Sequence, residues 1–366
     1  MRQLSKEDII DLLTGCTVLG TGGGGDLARG IALMEDDFAK KRPLNLMTVD
    51  EIPDEALIGT PYGCGAPKTG EAKESDRFQT LPHLKDSAAT YAFKRMEEYM
   101  GKKFTAVSTT ELGGENTAEA LHIACMLGLP VMDADPAGRA VPELQHSTYF
   151  IKGLPICPAA VATNFGESMI LEKACDDFRA EEIIRSIAVV SDNEVGVVDH
   201  PLSGKVYRDS VIAGAITTAE KIGKIVREKC REGGRIVAET IAKENSGRYL
   251  FKGRLTDAPW EMSGGFNKGK IIIEGTCDFS GKKYEIAFKN ETMVSYIDGK
   301  ADVMIPDLIC MIDGNGKPFT IPNFKDGMEI NVFALPAHEY WRSEKGISIF
   351  GPRAMGYDLD YRPFEK

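Results

Sequence analysis

The sequence has no Cys-x-x-Cys pair, no His-x-His, no His-Glu-x-x-His and no Gly-Lys followed by Ser or Thr. Those absences exclude a zinc ribbon or thioredoxin-type redox pair, a self-declaring histidine metal centre and a P-loop. No apolar run reaches the roughly 18 residues that would suggest a membrane span. The opening MRQLSKEDIIDLL lacks the uninterrupted apolar core of a signal peptide. Positive charge is also in short supply. A net charge of −11 argues against nucleic acid or an anionic membrane as the main partner, because phosphates would be repelled. Eight cysteines are scattered from Cys16 to Cys310 without pairing pattern, as expected of reduced thiols. A soluble cytoplasmic protein is the expectation.

A chain of 366 residues has room for two domains. Ser5 to Asp8 form a capping box, and Ile9, Ile10, Leu12 and Leu13 mark the buried side of a short helix that Gly15 can end. DLARGIALMEDDFAKK reads as a second helix, with Asp26 at its positive end and Lys40 and Lys41 at its negative end. Short strands follow in LNLMTVDEI and EALIGT, and a helix in DSAATYAFKRMEEYMG. Residues 104–135 spell strand, loop ELGGEN, helix and strand, which predicts a right-handed parallel crossover. ICPAAVAT adds a further strand to that sheet, residues 167–200 form a bridge, and DSVIAGAITTAEKIGKIVREKCREG is an amphipathic helix.

From about residue 248, short alternating runs separated by Gly-rich turns suggest antiparallel sheet or a small barrel, which EINVFAL and GISIF continue. The expected fold is α/β. It comprises an N-terminal three-layer sandwich with a mainly parallel sheet over 1–166 and a C-terminal domain over 167–366. The latter has helices, then a β-rich barrel-like sheet, with its last segment packing back on the first domain.

The stretch TVLGTGGGGDLARG satisfies G-x-G-x-x-G, and Asp50 stands downstream as the acid such a fingerprint wants. A dinucleotide fingerprint should follow a full strand, whereas residues 5–14 read as helix, so no nucleotide cofactor is favoured. Gly22, Gly23, Gly24 and Gly25 either form an N–H nest for a ligand or pack closely against another backbone. Asp26 would oppose a full anion, so a neutral ligand suits that nest better.

Asp133 and Asp135 end a predicted parallel strand, where open α/β sheets place their ligands. Glu111, Glu115 and Asn116 in ELGGEN end the neighbouring strand, and Glu143 and His146 follow in the next loop. Carboxylates gathered this way suit acid–base catalysis or a divalent metal such as zinc, with ligands unassigned. Taken singly, Asp133 or Asp135 capping a turn and a solvated Glu143 are equally good readings. His122 falls on the polar face of its helix and is expected at the surface, while His83, His200 and His338 lie in predicted loops. Cys64, between glycines, is either an exposed nucleophile or a small core residue. Lys68 is the cation near the crevice. Arg353 could orient a substrate carboxylate or pair with an acid across the domain junction.

Together VLGTGGGGD, GCGAP, ELGGEN, VMDADPAGRAVPELQ, KNETMV, PDLICMID, GKPFTIPNFKDGMEINVFALPA and GPRAMGYDLDY resemble the S-methyl thiohydantoin desulfurase family over about residues 7–362. The resemblance implies an α/β sandwich to about residue 166, a following domain with a β-barrel, and hydrolytic loss of sulfur from a hydantoin-type ring. It also implies a hydantoinase-like protein as a partner.

On motif placement, Asp133, Asp135 and Glu143 are the expected acid–base or metal-binding groups. Gly22 to Gly25, Asp26, Cys64, Lys68, Glu115, Asn116 and Arg353 are the expected substrate-binding set. The rival readings are a nucleotide-binding protein and a non-catalytic subunit of a hydantoinase-type system. Self-association through the β-rich half is expected, giving a homo-oligomer.

Overall fold

The computed structural model describes residues 1–66 and 76–364. Lys68 lies outside the described residues.

The first sheet is built from β1 (Arg2–Leu4), β2 (Leu44–Met47), β3 (Leu57–Gly65), β4 (Ala106–Val107) and β5 (Val131–Met132). β6 (Ala134–Asp135) stands apart from it, and β7 (Ala159–Thr163), β8 (Ser168–Leu171) and β9 (Glu194–Ser203) complete it. The order is β1-β2-β5-β4-β3-β9-β7-β8. β2, β5, β4 and β3 run parallel at its centre, and the flanking pairs are antiparallel. β10 (Ile212–Ala213) pairs only with β6.

The segment expected as a bridge therefore supplies an interior strand, β9, so the first sheet extends well past residue 166. Alternation along β9 explains its place. Val195 and Val197 face helix Asp177–Val190, while Gly196 and Val198 face helix Ala88–Met100. The absence of a side chain at Gly196 lets the latter helix begin against the sheet, since a Cβ there would lie 2.1 Å from Ala89 N.

The second sheet holds β11 (Arg248–Asp257), β12 (Trp260–Ser263), β13 (Phe266–Gly275), β14 (Lys283–Lys289), β15 (Glu291–Ile297), β16 (Lys300–Met304), β17 (Leu308–Asp313) and β18 (Glu329–Leu335). Every pairing in it is antiparallel, and it curls into a half-barrel around Phe251, Ile271, Ile286, Ile309 and Val332. Helix Gly234–Glu244 packs on its other face against β18. The final segment returns to the first domain, where Trp341 Nε1 donates to Ala137 O at 2.8 Å and Lys345 Nζ to Ile151 O at 2.9 Å.

Three local expectations change. The first helix, α1 (Lys6–Leu19), is started by the Ser5–Asp8 capping box but runs through Gly15 to the glycine run. Gly15 serves packing: a Cβ there would lie 1.7 Å from Ala219 O, and one on Gly223 would lie 1.7 Å from Asp11 O. α1 and helix Ala215–Lys229 thus cross backbone to backbone. GISIF is helical, within Glu344–Phe350, because the Ser343 hydroxyl accepts from Gly346 N at 3.1 Å and caps it. His122 is buried, with Nδ1 2.6 Å from Asp37 and Nε2 2.9 Å from Asp86. The polar side of its helix faces α2 (Leu27–Lys40) instead of water.

Gly223→Ala tests the helix crossing. Helix propensity alone would favour alanine by about 1 kcal/mol. Overlap with Asp11 O should reverse the sign and cost about 1–3 kcal/mol, read as a lower midpoint in urea. An unchanged or raised midpoint would refute the close-packing role.

Candidate functional site

The glycine run leaves α1 with Thr21, Gly22, Gly24 and Gly25 all at positive φ, a path that favours glycine. What it approaches first is protein. A Cβ on Gly24 would lie 2.5 Å from Gly113 Cα, one on Gly23 1.8 Å from Glu291 Oε1, and one on Gly25 2.4 Å from Glu115 Cβ. Gly24 O accepts from the backbone N–H groups of Glu115 and Asn116 at 3.2 and 3.1 Å. Gly22 O accepts from Ile321 N at 2.7 Å, and Thr21 O from Thr292 N at 3.0 Å, so the same turn is tied to the second domain.

Where this turn meets the ends of β3 and β9 there is a cavity of about 80 Å³. Its wall includes Gly24, Gly25, Cys64, Glu111, Glu115, Asn116, Arg185 and Glu291. Both domains contribute. Asn116 holds two walls together, accepting from Gly63 N at 3.0 Å and donating to Glu111 Oε2 at 3.1 Å. Arg185, buried beneath, donates to Glu181 at 2.7 Å and to the carbonyls of Pro142 and Gly65 at 3.0 and 3.3 Å. Its guanidinium also sits 4.4 Å from the Phe266 ring of the second domain. The clamp leaves a fixed positive charge in the wall.

The cavity favours protons. Burial, then the proximity of Glu291, pushes the Glu111 carboxyl well above its ordinary range. Burial raises Glu291 to about 8 against the pull of Arg139, Arg185 and Lys289, and its Oε2 has no hydrogen-bond partner. Burial also raises Glu115 to about 8, although Arg29 lies 2.9 Å away, and Glu119 to about 7. Cys64 is buried, and desolvation lifts its thiol to about 12, so it stays protonated at neutral pH.

Of the residues singled out in the sequence, Gly24, Gly25, Cys64, Glu115 and Asn116 are brought together here. Gly22 and Gly23 lie just behind, against Ile321 and Glu291. Asp26 caps α2 through Ala28 N and Arg29 N, and accepts from Asn323 Nδ2 at 2.8 Å. Asp133 lies elsewhere, with both oxygens taken by Thr217 N and Oγ1 at 2.8 and 2.6 Å. Asp135 is fully buried, accepting from Thr109 Oγ1, Ala137 N and Gly138 N and from the backbone of Glu111. That last bond makes it a support for Glu111, whose φ of 56° is unusual for a non-glycine residue.

Glu143 pairs with Lys289, and with burial opposing, His146 and Lys289 hold its carboxyl below the usual range. Arg353 is exposed and bound to Asp358 and Asp360 of its own tail. Among the described residues, no three His, Cys, Asp or Glu side chains form a group suited to a metal ion, and no helix is long and apolar enough to cross a membrane.

Glu111, which the sequence placed in the ELGGEN loop without a role, lines this cavity, as do Arg185 and Glu291, which the sequence did not single out. Glu291 carried a signal: an acid heading the apolar strand ETMVSYI is costly to bury without a use. Arg185 carried none, since Glu181 and Arg185 at i,i+4 read as an ordinary surface pair.

Comparison with known proteins gives two kinds of match. The family described as S-Me-THD-like matches as its N-terminal domain over residues 7–173 and as its C-terminal domain over residues 175–364. A crystal structure of a protein from Chromobacterium violaceum aligns over 100% of both chains with a TM-score of 0.77 and 22% identity, a likeness of fold. No curated protein matches.

The raised Glu291 predicts a stability effect. Its folded pKa of about 8 exceeds the ordinary glutamate value of 4.5, so the stability linked to its proton is present below about pH 4.5 and lost as pH rises through 8. Glu291→Gln should therefore narrow the fall in Tm between pH 5 and pH 9 by roughly 1–3 °C. Equal falls in both proteins would refute a buried, protonated Glu291.

Proposed function

The chain belongs to the S-Me-THD-like family through both of its domains, and on that premise we propose that it hydrolyses the methylthio group from an S-methyl thiohydantoin or a related five-membered ring. The observation that carries this reading is the convergence of Glu111, Glu291 and the Arg185 guanidinium on one small cavity at the domain junction. A planar, neutral cyclic amide suits a wall of glycine backbone and protonated carboxyls better than a phosphate would.

The reaction needs a base for water, a group to hold charge on the ring and an acid for the departing sulfur. Glu291, with its unpartnered Oε2, takes the proton of the attacking water in its ionised form. A C–O bond forms at the carbon bearing sulfur, and the electron pair of the ring C=N moves onto nitrogen, where Arg185 stabilises it. That pair then re-forms the C=N bond as the C–S bond breaks, and Glu111 gives its proton to the leaving thiolate. Methanethiol and the hydantoin tautomer leave, and the proton on Glu291 returns to Glu111 through water.

Asp135 acts through Glu111 as a positioning residue, and Glu143 fixes Lys289 beside the cavity. Asp133 anchors the start of helix Ala215–Lys229.

Turnover of an S-methyl thiohydantoin, followed as methanethiol release, tests this assignment. Glu111→Gln should lower kcat about 10²–10⁴-fold, while Asp133→Asn should stay within a few-fold of the native rate. An equal loss in folded Asp133→Asn would return the chemistry to the strand end. The native rate should also climb as pH rises toward about 8, where Glu291 ionises, and Glu291→Gln should lack that limb. A flat native profile over that range would exclude Glu291 as the base.

A further inference from the structure

Behind Glu111 lies a second, smaller chamber of about 10 Å³, close to the room one water needs. Tyr62, His146, Tyr149, Asp199 and His200 line it, and Glu111 is the only described titratable residue that lines both this chamber and the larger cavity.

The chamber is polar and unsatisfied. His200 is 3% exposed, yet neither ring nitrogen has a hydrogen-bond partner. Its Nδ1 stands 2.9 Å from Asp199 Oδ1, close enough for charge attraction but not aligned for a hydrogen bond. His146, 2% exposed, is bonded to the Ile349 backbone and leaves Nδ1 unpartnered. A buried polar group left bare costs about 1–3 kcal/mol.

His200 is also held in an uncommon backbone state, with φ of 42°, where the register of β9 against β3 slips between Ile58 and Thr60. Such a bulge re-aims a side chain. The Tyr149 ring lies tilted against the imidazole, with centroids 4.3 Å apart, and Tyr62 OH donates to Asp199 Oδ2 at 2.7 Å. The strain and the bare nitrogens have one economical explanation: something small and hydrogen-bonding belongs in the chamber.

We propose that the chamber holds one bound water joining His200 to the Glu111 carboxyl, which makes His200 a positioning residue that sets the orientation and proton affinity of Glu111. The inference rests on Glu111 as the acid of the proposed reaction. The charges facing Glu111 are Glu291, Arg185, Glu181 and Asp135, and those facing His200 are Asp199 and Asp177. The water is the link between the two sets, and it lets the Asp199–His200 pair act on a carboxyl it does not touch.

The test uses the full chain and does not depend on turnover. The protonated-carboxyl infrared band of Glu111, assigned by its loss in Glu111→Gln, should shift in frequency in His200→Asn. Its pH midpoint should move by a unit or more. Asparagine tolerates the left-handed backbone at this position, and a high-resolution crystal structure of the native chain should show a water within hydrogen-bond distance of both His200 and Glu111. An unmoved band in a folded variant, or a chamber empty in the crystal, overturns the proposal. Should His200→Asn not fold, the native crystal density decides. Failure of the native protein to release methanethiol would instead count against the desulfurase reading alone.

Discussion

The contact of two glycine loops, Gly24 on Gly113, is the constraint on which the rest of the molecule depends. A side chain at either position would collide with backbone at 2.5 Å or less. Because the loops touch, Gly24 O can cap the start of helix Asn116–Leu127, and Gly25 and Glu115 come to face one cavity. The same turn offers Gly22 O to Ile321 and Thr21 O to Thr292, so it also positions the strand that begins at Glu291. One short stretch thus orders the helix layer, the domain junction and the site together. That economy explains why four glycines stand in a row despite their entropic cost.

Around that contact the charges are arranged by burial. Arg139 and Arg185 are both buried and both span the domains, Arg139 by donating to Thr21 Oγ1 at 2.9 Å and to the Pro306 carbonyl at 2.8 Å. Each holds elements that sequence order keeps far apart, and each leaves a positive field near Glu291. Without those cations, an acid 2% exposed would be hard to accommodate. Burial outweighs their pull, so Glu111 and Glu291 still hold protons at neutral pH, a condition that suits acid catalysis and disfavours anionic ligands.

The helix starts and their N-terminal caps at Ser5 and Asp26 were legible because they rest on nearest neighbours. Ser5 with Asp8, Asp26 with Ala28 and Arg29, and the alternation of the second sheet all follow from local hydrogen bonds and period-2 burial. Gly15 misled because its role lies in a helix more than 200 residues away, and His122 because the partners that bury it, Asp37 and Asp86, come from other elements. Propensity contains no information about such partners.

The sequence by itself determined the α/β-then-β order, the caps, the acidic character and the motifs that group this chain with its family. Only the tertiary structure decided which acids share a cavity. Asp133 and Asp135 look equivalent in VMDAD, yet one is tied to Thr217 and the other supports Glu111, while Glu291 joins the site from a strand in the other domain. The reason is physical: a carboxyl's chemistry depends on its solvation and on the charges around it, and both are set by residues distant in the chain.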